Sequence, residues 1–340
     1  MLCIEYNKKE KLKVVEKPIP KIERDEALLK VEACGICGSD LIKIKNNLVE
    51  EGTVLGHEIV GTIVEVGSPT KKDFLNKKAV VAHHVPCLSC HFCKHGNFSM
   101  CSQFKNTNIK PGGFSEYIKI SKEHLEQATF IIPKCTVSEN ELALTEPLAC
   151  CMRAVNRAQV SASNIVLVCG LGSIGIMIGK LCEQKGATVI GLDLIQERIN
   201  LAKNMSAITN GFIASSPELK SFILHKTEGR GVDTVFLASG STKSLEDTLN
   251  LIRPGGTILV FSSIPKEIGF YNNEIYYREL TIMGSYSPSP LDLREAHQHI
   301  LTEKIKLGPL ITDVVNLKDL PKEINKCFEN KSLKMIARVS

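Results

Sequence analysis

The sequence predicts an α/β protein in two parts, one rich in strands and one built as a doubly wound parallel sheet. Three observations carry this. At 340 residues the chain can bury more than one core, so two domains are expected. From residue 164 on, continuous apolar runs at 165–169, 186–193, 232–238, 257–262 and 280–284, with a weaker one at 211–214, alternate with helical segments. Such runs suit parallel strands covered on both faces, and strand-helix alternation gives the doubly wound order. Before residue 164 the pattern is different: strands and loops, with short period-2 stretches.

The elements follow in order. Leu29, Val31 and Ala33 alternate with Lys30 and Glu32, as in a half-buried strand. Stretches 59–66 and 78–82 are β-branched, and Gly112-Gly113 opens a further strand at 114–120. Residues 141–160 look mostly helical, with Pro147 expected to break or kink them. Ile174, Ile178, Leu181 and Cys182 share one helical face. So do Leu245, Leu249 and Ile252, behind a capping box of Ser244 and Asp247, and Pro254-Gly255-Gly256 should turn that helix into the next strand. After about residue 290 the chain alternates again without making another such sheet. Internal repeats and low-complexity tracts are absent from the sequence.

Composition narrows the function. The formal net charge is +5, but the densest basic run, 8–13, is interrupted by Glu10 and Leu12, so no nucleic-acid stripe is expected. The N-terminus lacks an apolar leader, and the most apolar stretch, 165–179, is too short to span a bilayer and holds four glycines. A cytoplasmic chain with no membrane partner is expected. Its thirteen cysteines then argue for metal ligands and buried thiols, not disulfides.

Cys87, Cys90, Cys93 and Cys101 have the spacing C-x2-C-x2-C-x7-C. Four thiolates this close can reach one tetrahedral ion and close it, as in a structural zinc site. Neighbouring His83, His84, His91 and His95 are then surplus and are expected to be exposed loop residues. Gly170-Leu171-Gly172-Ser173-Ile174-Gly175 follows an apolar strand, opens an amphipathic helix and has Asp193 at the end of the next strand. Glycines there allow a tight turn and close approach of a pyrophosphate to the helix N-terminus. Asp193 can accept from both ribose hydroxyls and repels a 2′-phosphate, predicting NAD over NADP, although Arg198 could tolerate that phosphate. Upstream, Cys37, His57 and the carboxylate Glu146 offer a donor set that suits zinc and leaves one position open. Cys34 and Cys37 also form a C-x-x-C pair, so a redox role must be weighed.

The motifs Cys34-Gly-Ile-Cys37-Gly-Ser39-Asp40, Gly56-His57-Glu58-x-x-Gly61, the four-cysteine lobe, Gly112-Gly113-Phe114-x-Glu116-Tyr117, Glu146-Pro-Leu-Ala149 and G-x-G-x-x-G occur in one order over essentially the whole chain. In this the chain resembles the zinc-dependent medium-chain dehydrogenases/reductases, closest in motif to the sorbitol and polyol enzymes. The resemblance implies a GroES-like catalytic domain over 1–150 with its zinc lobe at about 84–104. A Rossmann NAD-binding domain over 151–287 and a segment over 288–340 that returns to the catalytic domain complete it. It implies two zinc ions per subunit, one catalytic and one structural, and a homodimer or homotetramer.

Carried over by residue, the resemblance makes Cys37 and His57 catalytic-zinc ligands, with Glu58 and Glu146 as two carboxylates that can exchange. Asp40 would fix the His57 tautomer, and Ser39 would take the alcohol proton. Zinc with one thiolate and one carboxylate is formally neutral and would ease loss of that proton, while a secondary alcohol gives hydride to the nicotinamide. A sugar alcohol, other polyol or polyol phosphate is the implied substrate, with L-threonine as the alternative. A catalytically silent zinc- and nucleotide-binding protein is the alternative from another class. Many relatives carry a histidine three residues after the hydroxyl residue, and here that position is Ile42. A route through water and Glu58 or Glu146 is expected instead. The loop between Asp40 and Gly56 looks short, and Tyr277, Arg278 and 285–288 are expected to border either the pocket or a subunit interface.

Overall fold

The computed structural model describes residues 1–240, 247–263 and 272–339, with the side chains of 69–71 left out. The chain divides into two compact units, Met1–Ala149 with Pro288–Ser340, and Cys150–Ser287.

The first unit opens with a hairpin, β1 (Leu2–Asn7) and β2 (Lys11–Glu16), paired antiparallel. Then come β3 (Ala27–Gly35), β4 (Glu58–Val66), β5 (Lys78–Val81), β6 (Tyr117–Ile120) and β7 (Thr129–Ile131). β3 and β4 are the longest, and β3 also pairs β6 through Ala27–Lys30. The expected strand at 114–120 is regular only from Tyr117, because Gly113 and Phe114 instead donate to Gly56 O and Leu55 O, at 2.8 and 2.9 Å. The core of this unit is Ile4, Tyr6, Leu29, Ile44, Ile59, Ile63, Phe114 and Ile118 with their neighbours.

In the second unit, β8 (Ile165–Cys169), β9 (Thr188–Asp193), β10 (Asn210–Ile213), β11 (Val232–Leu237), β12 (Ile252–Val260) and β13 (Thr281–Gly284) form one parallel sheet. Its order is β10-β9-β8-β11-β12-β13. The chain therefore winds outward one way from β8, crosses back and winds the other way, as the sequence predicts. The doubly wound class is observed, and the weak candidate at 211–214 is the edge strand β10.

Two last strands, β14 (Asp313–Asn316) and β15 (Met335–Arg338), rejoin the first unit, where β15 pairs antiparallel with β3. Leu317, Leu320, Ile324, Met335 and Ala337 pack into the same core as the N-terminal strands.

Local expectations fare unevenly. Residues 141–160 are not one kinked helix: helices Glu139–Leu142 and Thr145–Arg157 are separated at Ala143-Leu144. Pro147 lies in the first turn of the second, where a missing N–H costs nothing. Ile252 starts a strand, and 254–256 lie within it rather than before it. Ser244 and Leu245 lie outside the described residues. Of the eight cysteines other than Cys37, Cys87, Cys90, Cys93 and Cys101, which as non-ligands are expected to be buried thiols, Cys135 is exposed and Cys150 and Cys327 are half-buried.

Candidate active site and metal centres

The first centre is assembled at the end of β3 and the start of β4. Cys37 caps the helix Gly38–Lys45. Its Sγ accepts from Ser39 N at 3.4 Å, while Oδ2 of Asp40 accepts from Cys37 N at 3.2 Å. The cap thus fixes the thiol and the carboxylate together. Opposite them Gly56 has φ +90°, and a Cβ on it would stand 2.6 Å from the Phe114 ring. Only glycine makes that turn, which aims His57 toward Asp40. Nδ1 of His57 lies 3.4 Å from Oδ1 of Asp40.

Cys37, His57 and Glu58 bring one donor atom each within 4.8 Å of one another. Glu58 is wholly buried. Its Oε1 accepts from Lys334 Nζ at 2.6 Å, and Oε2 faces the same ammonium without a directed hydrogen bond. A buried carboxylate oxygen left in that state, beside a thiol and an imidazole, fits a metal ligand. This donor set suits zinc with a fourth position open. Glu146, 6 % exposed in the first turn of Thr145–Arg157, stands outside that group of three. Ser39 is exposed, and Ile42, 39 % exposed, follows one helical turn later with no group that could carry a proton.

Electrostatics bind these groups into one system. Burial disfavours a charged His57, but Asp40 and Cys37 outweigh it and raise the imidazole pKa well above its ordinary value. Burial likewise opposes the Lys334 charge, and Glu58, Cys37 and Glu146 more than restore it. A metal held there would take the imidazole in its neutral form, in competition with the proton that Asp40 and Cys37 favour.

Three side chains here escape sequence reasoning. His83 and His84, expected in an exposed loop, are both half-buried, with the His83 ring 4.6 Å from that of His57 and the His84 ring tilted at 45° against it at 4.0 Å. His91 and His95 are exposed as expected. Lys334 gave no signal at all, being one of several lysines in the C-terminal tail. The C-x-x-C alternative loses its partner: Cys34 is fully buried, with Gly56 and Gly113 packed on its sulfur, and burial pushes its thiol pKa well up.

The second centre is the lobe around the four cysteines. The Cys87–Cys93 and Cys90–Cys93 sulfur separations are 3.9 and 3.6 Å. Four thiolates around one zinc stand about 3.8 Å apart, so the lobe fits that ion. Leu88 takes φ +60°, letting Cys90 N donate to Cys87 Sγ at 3.3 Å. The Ser89 hydroxyl and these backbone N–H groups draw the Cys87 pKa down to about 5, whereas burial pushes Cys93 up to about 12.

The third site is the loop from β8 into the helix Ser173–Gln184. Gly170 has φ +97°, and a Cβ on Gly175 would stand 1.8 Å from Gly170 O, so helix and loop touch. Gly172 caps the helix without a side-chain bond, and a Cβ there would meet nothing within 4 Å. Leu171, Ser173 and Ile174 complete the loop, which leaves room for a phosphate at the helix N-terminus. Asp193 ends β9, 7 % exposed, with Oδ2 accepting from Leu171 N at 2.7 Å and Oδ1 from Ile195 N at 2.9 Å. Each oxygen keeps a lone pair for a ribose hydroxyl. Arg198 lies 3.9 Å from Oδ2. Arg278 is tied to the carbonyls of Leu249, at 2.7 Å, and Ile252.

Comparison with known proteins decides the family. Residues 23–130 match the alcohol dehydrogenase GroES-like domain, and residues 173–302 match the zinc-binding dehydrogenase domain. Sorbitol dehydrogenase of Bacillus subtilis (strain 168) is 30 % identical over 98 % of this chain and 96 % of its own. The chain belongs to the zinc-dependent medium-chain dehydrogenases. This dehydrogenase is also 26 % identical to D-arabinitol dehydrogenase 1 of Uromyces fabae, over 99 % of this chain and 97 % of the other. In fold it is similar to an alcohol dehydrogenase from Thermus sp. ATN1, at 22 % identity and a TM-score of 0.88 with both chains covered in full. The dehydrogenase is an oxidoreductase of the alcohol and polyol kind. Among its described residues no helix is long and apolar enough to cross a membrane.

Proposed function

We propose that this enzyme oxidises a secondary alcohol of a sugar alcohol, another polyol or a polyol phosphate, reversibly, with NAD as hydride acceptor. The observation that carries the reading is the grouping of Cys37, His57 and Glu58 around one point, with Asp40 behind the imidazole. A zinc ion held there would act as Lewis acid on the substrate oxygen. Cys37 and Glu58 supply two negative charges to it, Asp40 holds the tautomer that leaves the other His57 nitrogen free to bind, and the exposed Ser39 hydroxyl receives the alcohol proton. With Ile42 beyond it, that proton leaves through water and Glu58 or Glu146. A second zinc in the four-cysteine lobe is structural.

Support for NAD over NADP comes from Asp193, whose charge at the end of β9 opposes a 2′-phosphate. We expect kcat/KM at least about tenfold higher with NAD, which is 1.4 kcal/mol of discrimination; equal values would refute the preference. The same reading makes the enzyme a cytoplasmic homodimer or homotetramer. Tyr276, Tyr277 and Tyr286, exposed to 72, 77 and 63 %, flank the edge strand β13, and exposed tyrosines beside an open edge suit an interface between copies.

The test is metal analysis followed by NADH formation over sugar alcohols, inositols, polyol phosphates, simple secondary alcohols and L-threonine. Two zinc ions per chain and a sharp response among polyols support the proposal. A single zinc, with no turnover, leaves a nucleotide-binding protein with a filled cysteine lobe.

A further inference from the structure

Glu58 is held from three sides. Gly35 is its cross-strand partner between β3 and β4, and Ile336 of β15 pairs with Gly35 in turn. Residues opposite one another in a ladder share a face, and Lys334, two positions before Ile336, falls on the same one. Gly35 leaves the space that the carboxylate occupies: a Cβ there would lie 1.9 Å from Glu58 Oε2. The Lys334 ammonium, 4 % exposed, donates to Glu58 Oε1 at 2.6 Å and to Ile36 O at 3.0 Å, and forms an ion pair with Oε2. A small-residue gap, a buried cation and a carbonyl that anchors the cation thus converge on one carboxylate.

We propose that Lys334 is a positioning residue that keeps Glu58 a weak, releasable ligand of the catalytic metal. This rests on the reading that Cys37, His57 and Glu58 hold that metal. An ammonium and a metal ion compete for the same two carboxylate oxygens. While Lys334 faces both oxygens, with its directed hydrogen bond on Oε1, Glu58 can offer the metal at most Oε2, with donor strength lowered by the adjacent positive charge. The metal stays more electron-poor, and the Glu58 position opens more readily than a thiolate or imidazole position. Without the ammonium, Glu58 is a buried carboxylate whose best counter-charge is the metal, so it binds harder and with both oxygens. The returning C-terminal segment therefore sets how labile a ligand in the N-terminal half is.

The experiment uses the full-length protein loaded with Co²⁺, read by its visible ligand-field spectrum and by the rate of Co²⁺ loss to excess EDTA. Two metals per chain in the unaltered protein are required; one, confined to the cysteine lobe, refutes the parent reading and this inference with it. Given two, Lys334→Met should slow loss from the catalytic site about tenfold, equivalent to about 1.4 kcal/mol on its barrier, and change its spectrum. Lys334→Arg, which keeps the charge, should restore both. Lys334→Met combined with Glu58→Gln should lose metal faster than the unaltered protein, because the strengthened ligand is gone. If Lys334→Met does not fold, Lys334→Gln, which keeps a donor to Ile36 O, takes its place. Spectra and rates like those of the unaltered protein in the uncharged variant, or faster loss from it, overturn the inference while leaving the parent reading intact.

Discussion

The Asp40 carboxylate caps its own helix through Cys37 N with one oxygen and faces Nδ1 of His57 with the other. Cys37 and His57, twenty residues apart in sequence, are placed by one side chain. Asp40→Ala should therefore lower zinc affinity at the catalytic centre about 10- to 100-fold and leave the cysteine lobe filled, measured by dialysis against a graded zinc buffer. His84 offers a prediction of another kind. Burial pushes its pKa from the ordinary 6.5 down to about 4, so the unfolded chain takes up a proton first as pH falls. Its contribution to stability is whole above pH 6.5 and is lost as pH falls from there through 4. His124 is shifted the same way by burial. Thermal midpoints measured over that window should fall with acid, and His84→Asn should flatten the fall; an unchanged slope would remove His84 from the account. At this scale the sequence was informative where spacing is short. The four cysteines could be grouped by local arithmetic, whereas Asp40 was assigned to His57 only through resemblance. The closeness of His83 to His57, and of Lys334 to Glu58, depends on strand pairing over long separations, which no local pattern encodes.

Helix starts and turns carry the next level. In the helix Ser173–Gln184, contact between Gly175 and the Gly170 carbonyl sets the loop over which a pyrophosphate would lie. Gly175→Ala places a methyl group 1.8 Å from that oxygen, so loop and helix must part. Affinity for NADH, followed by fluorescence, should drop at least about tenfold, equivalent to 1.4 kcal/mol, with the metal content unaffected. Farther along, Ser289 and Asp292 form a reciprocal cap on the helix Pro290–Leu301. Ser289→Ala should cost about 1 kcal/mol, seen as a lower denaturant midpoint. Parallel strands announced themselves as apolar runs because both their faces are covered. Boundaries were harder: Pro147 was expected to break a helix, yet a first turn accepts it, and Pro254-Gly255-Gly256 was absorbed into β12 rather than ending at it.

At the scale of the whole molecule, the alternation of strands and helices was enough to foresee the doubly wound sheet. A return of the tail was implied only by resemblance, since a four-residue strand carries too little pattern to choose its neighbour. β14 and β15 complete the sheet of the first unit, and their flanking Leu317, Leu320 and Ile324 fill its core. A chain ending at Ile311 should lose soluble expression and catalytic-site zinc together; a soluble product with both zinc ions would show that the tail is dispensable.

That return has a consequence for biogenesis. The second unit is one uninterrupted stretch of chain and can fold as soon as it has been synthesised. The first unit has to wait. β3 does not gain β15, nor Glu58 its ammonium, until residues 334–338 have been synthesised. A nascent chain thus presents the sulfur and nitrogen donors of Cys37 and His57 well before the carboxylate grouped with them is restrained. Full assembly of the Cys37, His57 and Glu58 group is therefore expected only once the returning segment at 334–338 has been made.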